Sequence, residues 1–255
     1  MANNTSEFRY PRRRLIRAIL RPLSRLAFAL LTDFHVEGQE NFPKKGPLIV
    51  VFNHFSFIDP AALVRVLPWP PEFIGGFVNP GAPPIVTWIP RLWGFYPVFR
   101  GTGSRLALRA SEAVLSQGGI LGISPEAGSW ATVLRPARPG AAYVATRTGA
   151  PLLPVGLDGL PEVFPRLNKG QRARVTVRIG KLFGPFRATG RGRERREQLD
   201  AIGDKIMQKI KALIPPEKHG YYSDDPAIRE AAKGTEIYPW DTAIETDFHA
   251  GEHLE

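Results

Sequence analysis

The sequence predicts an α/β fold: a layered, largely parallel sheet flanked by helices, preceded by a basic amphipathic helical segment. Two observations predict it. Apolar runs of strand length, at 47–52, 119–124, 151–157 and 173–180, alternate with stretches of helical periodicity. That alternation is the pattern of helices layered on a parallel sheet. The 255 residues, 43% of them hydrophobic, suffice for one large domain. The expected organisation is a membrane-docking helical segment at 9–34, a main domain at 35–214 and an acidic tail at 215–255.

The elements follow in order. In 9–31, Leu15, Ile16, Ile19 and Leu20, then Leu23, Leu26, Ala27, Leu30 and Leu31, recur at helical spacing. Arg9, Arg12, Arg13, Arg14, Arg17, Arg21 and Arg25 fill the gaps, and Pro22, which lacks an N–H, is expected to kink or split the helix. Two readings are open. The segment lies in a membrane interface with its arginines at the headgroups, each worth about 1 kcal/mol near an anionic surface. Alternatively, it packs on its own domain. The apolar run Leu26 to Leu31 falls far short of the roughly 20 residues that span a bilayer. The opening MANNTSEFRYPRRR has no apolar core of a secretory signal. A peripheral protein at the cytoplasmic face, without a transmembrane span, is the expectation.

A strand at 47–52 leads to a helix at about 60–67, with Asp59 as its N-cap and Pro60 at its first position. A short strand near Phe73 precedes an irregular stretch, 79–103, rich in proline, glycine and aromatics. A helix at 104–117 stops at Gly118-Gly119. The strand 119–124 runs into Pro125-Glu126, and a helix at 140–148 stops at Gly149. After the strands at 151–157 and 173–180, a long helix at 193–214 puts Leu199, Ile202, Ile206, Ile210 and Leu213 on one face. Beyond Pro215-Pro216 a loop-rich or partly disordered tail is expected.

The net charge is +10, yet from Pro215 to Glu255 ten acidic residues face three basic ones. The body is therefore strongly basic, which predicts an anionic partner: a membrane surface, nucleic acid or a phosphorylated substrate. No nucleic-acid-binding module is visible, so no nucleic-acid partner is expected. The absence of cysteine excludes disulfides, thiolate zinc sites and a cysteine nucleophile. HAGEH at 249–253 matches a zinc-protease pattern but lies in a polar, glycine-containing tail, and no metal is expected.

The stretch NHFSFID, 53–59, carries the first candidate chemistry. On a regular helix His54 and Asp59 would point about 140° apart. A strand end, a turn and a helix start between them can instead fold the carboxylate back to the imidazole. An imidazole accepts a proton at neutral pH, and a carboxylate on its other nitrogen fixes the tautomer. A capping aspartate beside an idle strand-end histidine remains the other reading.

NHFSFID resembles the N-H-x-S-x-x-D signature (HX4D) of the glycerolipid acyltransferase family, the lysophosphatidic acid acyltransferases and their relatives. Three further blocks follow in the family's order. GFYPVFRG places Gly94 and Arg100 in a G-x-x-x-x-x-R arrangement. ISPEAGSW, around Glu126, is similar to F-P-E-G-T-R, and GAPLLPVGL to V-P-I-V-P-V. The resemblance covers about residues 35 to 185.

It implies an acyltransferase of phospholipid biosynthesis, with a lysophospholipid acceptor, most simply 1-acyl-glycerol-3-phosphate. The donor is an acyl thioester, acyl-CoA or acyl-carrier protein, as co-substrate; no cofactor is implied. His54 would be the general base and Asp59 its orienting partner. Arg100 would hold the acceptor phosphate through charge-assisted bonds. Glu126 and Gly128 would shape the acceptor site, Gly128 by permitting close backbone approach. Asn53, Ser56 and Gly94 complete the substrate-binding candidates, with Ser56 as a supporting hydrogen-bonder. The third block departs from the pattern: Glu126-Ala127-Gly128-Ser129 lacks the family's arginine. Arg135 and Arg138, downstream in LRPARPG, are the candidate substitutes, or else surface arginines. The departure leaves open another lysolipid or a glycolipid as acceptor. A lipid hydrolase using Ser56 with His54 is a further alternative, although no G-x-S-x-G elbow exists.

Overall fold

The computed structural model describes residues 8–75, 88–98 and 104–237. A seven-stranded sheet forms the centre: β1 (Thr32–Glu37), β2 (Leu48–Phe52), β3 (Glu72–Gly75), β4 (Tyr96–Pro97), β5 (Ile120–Ile123), β6 (Leu152–Asp158) and β7 (Ala173–Ile179). The order is β1-β7-β6-β2-β5-β3-β4. Every pairing is parallel except β6 with β7, which is antiparallel. All five residues of β2 are buried, as expected for a strand covered on both faces of a parallel sheet.

The pleat of β2 sorts the core into two layers. Leu48, Val50 and Phe52 join one cluster with Ala62 and Leu63 of α2 (Asp59–Val66), Phe28 of α1 (Arg14–Leu31) and Trp93 of α3 (Ile89–Trp93). Ile49 and Val51 join the other. There they meet Leu115 of α4 (Arg105–Ser116), Ala141 and Ala145 of α5 (Gly140–Thr148), and Leu199, Ile202, Ile206 and Ile210 of α7 (Gly192–Lys211). Alternation along one strand thus dictates which helices cover which face. A short helix, α6 (Val163–Leu167), follows β6.

Helix α1 is amphipathic with its polarity turned inside out. At roughly 100° per residue, Arg17, Leu20, Arg21, Ser24 and Phe28 fall on one side. That side faces the protein. Arg17 is 2% exposed and donates to both carboxylate oxygens of the fully buried Glu72 on β3, at 2.6 and 2.7 Å. Arg12 adds a second guanidinium to the same carboxylate at 3.1 Å. Arg21 donates to the Leu67 carbonyl, Ser24 to that of Ala61 and Arg17 Nε to that of Trp93. The opposite side carries Leu15, Ile19, Leu23, Leu26 and Leu30, all more than half exposed. Two expectations change accordingly. Arg17 and Arg21 hold the helix to the domain instead of lying at headgroups. Pro22 does not split the helix: it sits on the exposed side, and bonds from Arg17, Arg21 and Ser24 secure α1 on both sides of it. Helix α1 then passes directly into β1 at Thr32.

The first part of the acidic region is ordered. Residues 216–222 form two short 3-10 turns, followed by α8 (Pro226–Ala232). They wrap the loop after β5: Leu134 N–H donates to the Lys218 carbonyl, and Tyr221 N–H donates to the Leu134 carbonyl, each at 2.9 Å. The 249–253 stretch lies outside the described residues.

Candidate active site

Strand register assembles the site. Val51 of β2 pairs with Ile123 of β5 in parallel, so both chains leave the sheet at the same carboxyl end. Three residues further on each chain stand His54 and Glu126. Crevices at the carboxyl ends of parallel strands are where α/β sheets bind ligands.

His54 Nδ1 lies 2.8 Å from Asp59 Oδ2. The same oxygen accepts the backbone N–H groups of Phe55 at 2.7 Å and Ser56 at 2.8 Å. The turn 53–58 therefore folds around one buried carboxylate oxygen, which brings ring and carboxylate together across five residues. Asp59 is not the N-cap. Ile58 holds that position with no side-chain cap bond, and the Asp59 carboxylate reaches back to the preceding turn instead of forward to its helix. With Nδ1–H given to Asp59, the imidazole's second nitrogen, Nε2, keeps a lone pair, and the His54 side chain is 16% exposed. This is the arrangement a general base requires.

Glu126 holds the other side of the turn. Its Oε1 accepts the His54 backbone N–H and its Oε2 the Arg135 backbone N–H, both at 3.1 Å. Complete burial raises its pKa to about 7, against the lowering pull of Arg135 and of the bond from His54. The Arg135 guanidinium lies 3.5 Å from the same carboxylate, stacks 3.7 Å over the Trp130 ring and donates to the Gly128 carbonyl. At 1% exposure Arg135 stands inside the protein as a counter-ion to Glu126, not at an open acceptor surface. Arg138 is exposed, donates to the Glu236 carbonyl at 3.1 Å, and shares with Glu126, Trp130 and Arg135 a cavity of about 160 Å³.

Four other candidates take structural positions. Asn53 is fully buried, and its amide exchanges two bonds of 2.8 Å with the Leu157 backbone. It extends the pairing of β2 with β6 by one rung past Phe52 and Val155, with its side chain wholly buried. Gly94 closes α3 at φ 80, a conformation that glycine adopts without strain, and lies against Arg12 and Arg13. Gly128 does permit a close approach, but the approaching group is Trp130: a Cβ on Gly128 would come within 2.2 Å of that ring. Ser56 contributes its N–H to Asp59, and its hydroxyl makes no hydrogen bond to His54 among the described residues. Arg100 lies outside the described residues. No cluster of potential metal ligands occurs among the described residues.

Trp130 went unnoticed in the sequence, although ISPEAGSW contains it. Its ring fills the space beside Gly128, and its Nε1–H donates to the Thr235 carbonyl at 2.7 Å, linking the loop to the segment after α8. The one signal was the small residue two positions before it.

Residues 33–158 match the model of the acyltransferase family. Among solved structures the chain is similar to the 1-acyl-sn-glycerophosphate (LPA) acyltransferase PlsC from Thermotoga maritima. The identity is 25% and the TM-score 0.54, over 82% of this chain and 87% of that one.

Proposed function

The chain belongs to the glycerolipid acyltransferase family, and from that premise we propose that it acylates the free hydroxyl of 1-acyl-glycerol-3-phosphate from acyl-CoA or acyl-carrier protein. The observation that carries the proposal is the 2.8 Å contact between His54 Nδ1 and Asp59 Oδ2, which leaves Nε2 as the basic nitrogen. Nε2 takes the hydroxyl proton as the acceptor oxygen attacks the thioester carbonyl. The tetrahedral intermediate collapses with loss of the thiolate, and the imidazolium returns the proton to sulfur. Asp59 stabilises the imidazolium in between. Such general-base assistance contributes about 10²–10⁴-fold. Arg100 and Arg138 bind the acceptor phosphate, while Arg135 supports Glu126 from behind.

The exposed apolar side of α1 docks the domain on the membrane that holds the acceptor. Trp88, Ile89 and Leu92 around the neighbouring α3 are exposed as well. No helix among the described residues is long and apolar enough to cross a membrane; the docking proposed is that of an amphipathic helix lying in the interface.

The test incubates purified protein with labelled acyl-CoA or acyl-carrier protein and lysophosphatidic acid. Wild type forms labelled phosphatidic acid and His54→Ala does not. Equal activity of the two proteins overturns the proposal, as does their equal inactivity across both donors and a panel of lysolipids.

A second acceptor class is favoured by one observation: Ser129 stands where the family pattern has arginine, and Trp130 occupies the space beside Gly128. A non-phosphorylated acceptor predicts that Arg100→Ala leaves transfer unchanged, and a phosphorylated one predicts a large loss.

A further inference from the structure

Beside α1 runs an open groove of about 530 Å³, bounded by Arg25, Leu26 and Ala29 on α1, Arg65 and Val66 at the end of α2, and Val36 on β1. Its two arginines are locked to each other's backbone: Arg65 donates to the Arg25 carbonyl at 2.6 Å and Arg25 to the Arg65 carbonyl at 3.4 Å. The Arg65 guanidinium also stacks 4.2 Å over Phe34. Arg21 lies one turn before Arg25 on α1. None of these three arginines pairs with a carboxylate among the described residues. Burial, and after it the charge of Arg25, hold Arg21 and Arg65 below the usual arginine pKa. A fold that crowds guanidinium groups without counter-charge leaves room for an anion.

The position selects the anion. Leu26 belongs both to the groove and to the exposed apolar side of α1. The groove thus sits at the rim of the docking face, where a bilayer would present its phosphates. It is also remote from the chemistry: Asp59 begins α2 and Arg65 nearly ends it, roughly 9 Å along the helix axis. A lipid there is not the one that reacts.

We propose that Arg25 and Arg65 bind the phosphate of an anionic bilayer phospholipid, whose acyl chains run beside Leu26 and Ala29, and that this contact sets the orientation of the domain on the membrane. The inference rests on the membrane-docking reading above and adds to it a preference for anionic lipid. Planar guanidinium forks suit phosphate oxygens, and partial burial strengthens the attraction.

Vesicle co-sedimentation tests it with neutral phosphatidylcholine vesicles and with vesicles that also contain phosphatidylglycerol. Wild type is expected to bind the anionic vesicles more tightly. The Arg25→Gln, Arg65→Gln double variant loses that preference by about tenfold while keeping its binding to neutral vesicles. Unfolding of each variant is followed by circular dichroism. Should the double variant fail to fold, Arg65→Gln alone carries the same expectation at a few-fold. The charge-retaining Arg65→Lys keeps most of the preference. Absence of wild-type binding to any vesicle overturns the docking reading itself. Equal binding to both vesicle types, or a preference retained in the Gln variants, overturns the groove proposal and leaves docking intact. Loss of the preference on adding inorganic phosphate at constant ionic strength identifies a free-anion site and also overturns it.

Discussion

The carboxylate of Glu126 holds His54 by its backbone N–H, 3.1 Å away, and leaves the ring to Asp59. Two acids thus divide the placement of one histidine. One fixes the main chain where it leaves β2, and the other fixes the ring and two more N–H groups of the turn. Substitutions at the two acids therefore have different signatures.

For Asp59, an asparagine keeps an oxygen for the buried N–H groups of Phe55 and Ser56 but provides no charge to stabilise the imidazolium. Asp59→Asn is expected to lower kcat by about 10²-fold or more, with a modest stability loss. Asp59→Ala orphans both N–H groups and costs about 1–3 kcal/mol for each. Paired urea-unfolding and steady-state measurements separate the two variants.

At Glu126 the expectation concerns pH. Its folded pKa, about 7, lies above the ordinary 4.5. Between those values the folded chain binds more protons than the unfolded chain. Its contribution to stability is therefore fully present below the lower value, shrinks as pH rises through the window and is level above the upper one. Glu126→Gln removes this dependence. Urea-unfolding free energies at pH 5 and pH 8 are expected to differ more for wild type than for the variant, by up to about 3 kcal/mol. Identical pH slopes would contradict the assignment.

Ala127 takes φ 60, the left-handed region, at the position where the acyltransferase pattern has glycine. Ala127→Gly removes a backbone conformation that costs a residue with a Cβ about 1–2 kcal/mol, offset in part by the entropy of a freer unfolded chain. The expected net effect is a rise in stability of about 0.5–1 kcal/mol with kcat unchanged. Thermal unfolding of the two proteins checks it.

Gly128 and Trp130 are coupled by volume. Gly128→Ala drives a Cβ into the ring and is expected to destabilise by about 1–3 kcal/mol. Trp130→Ala removes the ring and its bond to Thr235 and is destabilising on its own. In the double variant the clash is gone, so the two losses are less than additive. A double-mutant cycle in urea measures the difference.

The ion pair between Arg17 and Glu72 fastens α1 to the sheet. Arg17→Ala leaves a buried carboxylate with the more exposed Arg12 as its remaining arginine. It is expected to cost about 3 kcal/mol and to loosen α1 first, seen as faster hydrogen exchange in 14–31 than in the strands.

Much of this was legible beforehand, for physical reasons. Period-3.6 and continuous apolar patterns marked β2, β5, β6 and β7 and helices α4, α5 and α7, because burial on one or both faces writes itself into composition. Strand β1 was missed: in Thr32–Glu37 only Thr32 is buried, and the partly buried Phe34 and Val36 are set among charges. Periodicity showed that α1 has two faces but not which one turns inward. That depended on Glu72, a buried acid 55 positions from Arg17. The site divides in the same way. His54 with Asp59 is a local motif within one turn. The role of Asn53 depends on a partner that arrives through tertiary packing, the backbone of Leu157, while those of Gly128 and Arg135 depend on how one loop folds back on itself, against the ring of Trp130 and the carboxylate of Glu126.

The bonds of Leu134 to Lys218 and Tyr221 carry a practical consequence for anyone trimming the chain. Residues 215–237 lie beyond both the span matched by the acyltransferase family and the last strand, and their composition invites removal as a dispensable appendage. Yet they clasp the loop on which Arg135, Trp130 and Arg138 are mounted, and through Arg135 they bear on Glu126. A chain ending at Ile214 would retain every residue of NHFSFID and of ISPEAGSW and lose the outer brace of the loop that carries Arg135, the partner of Glu126.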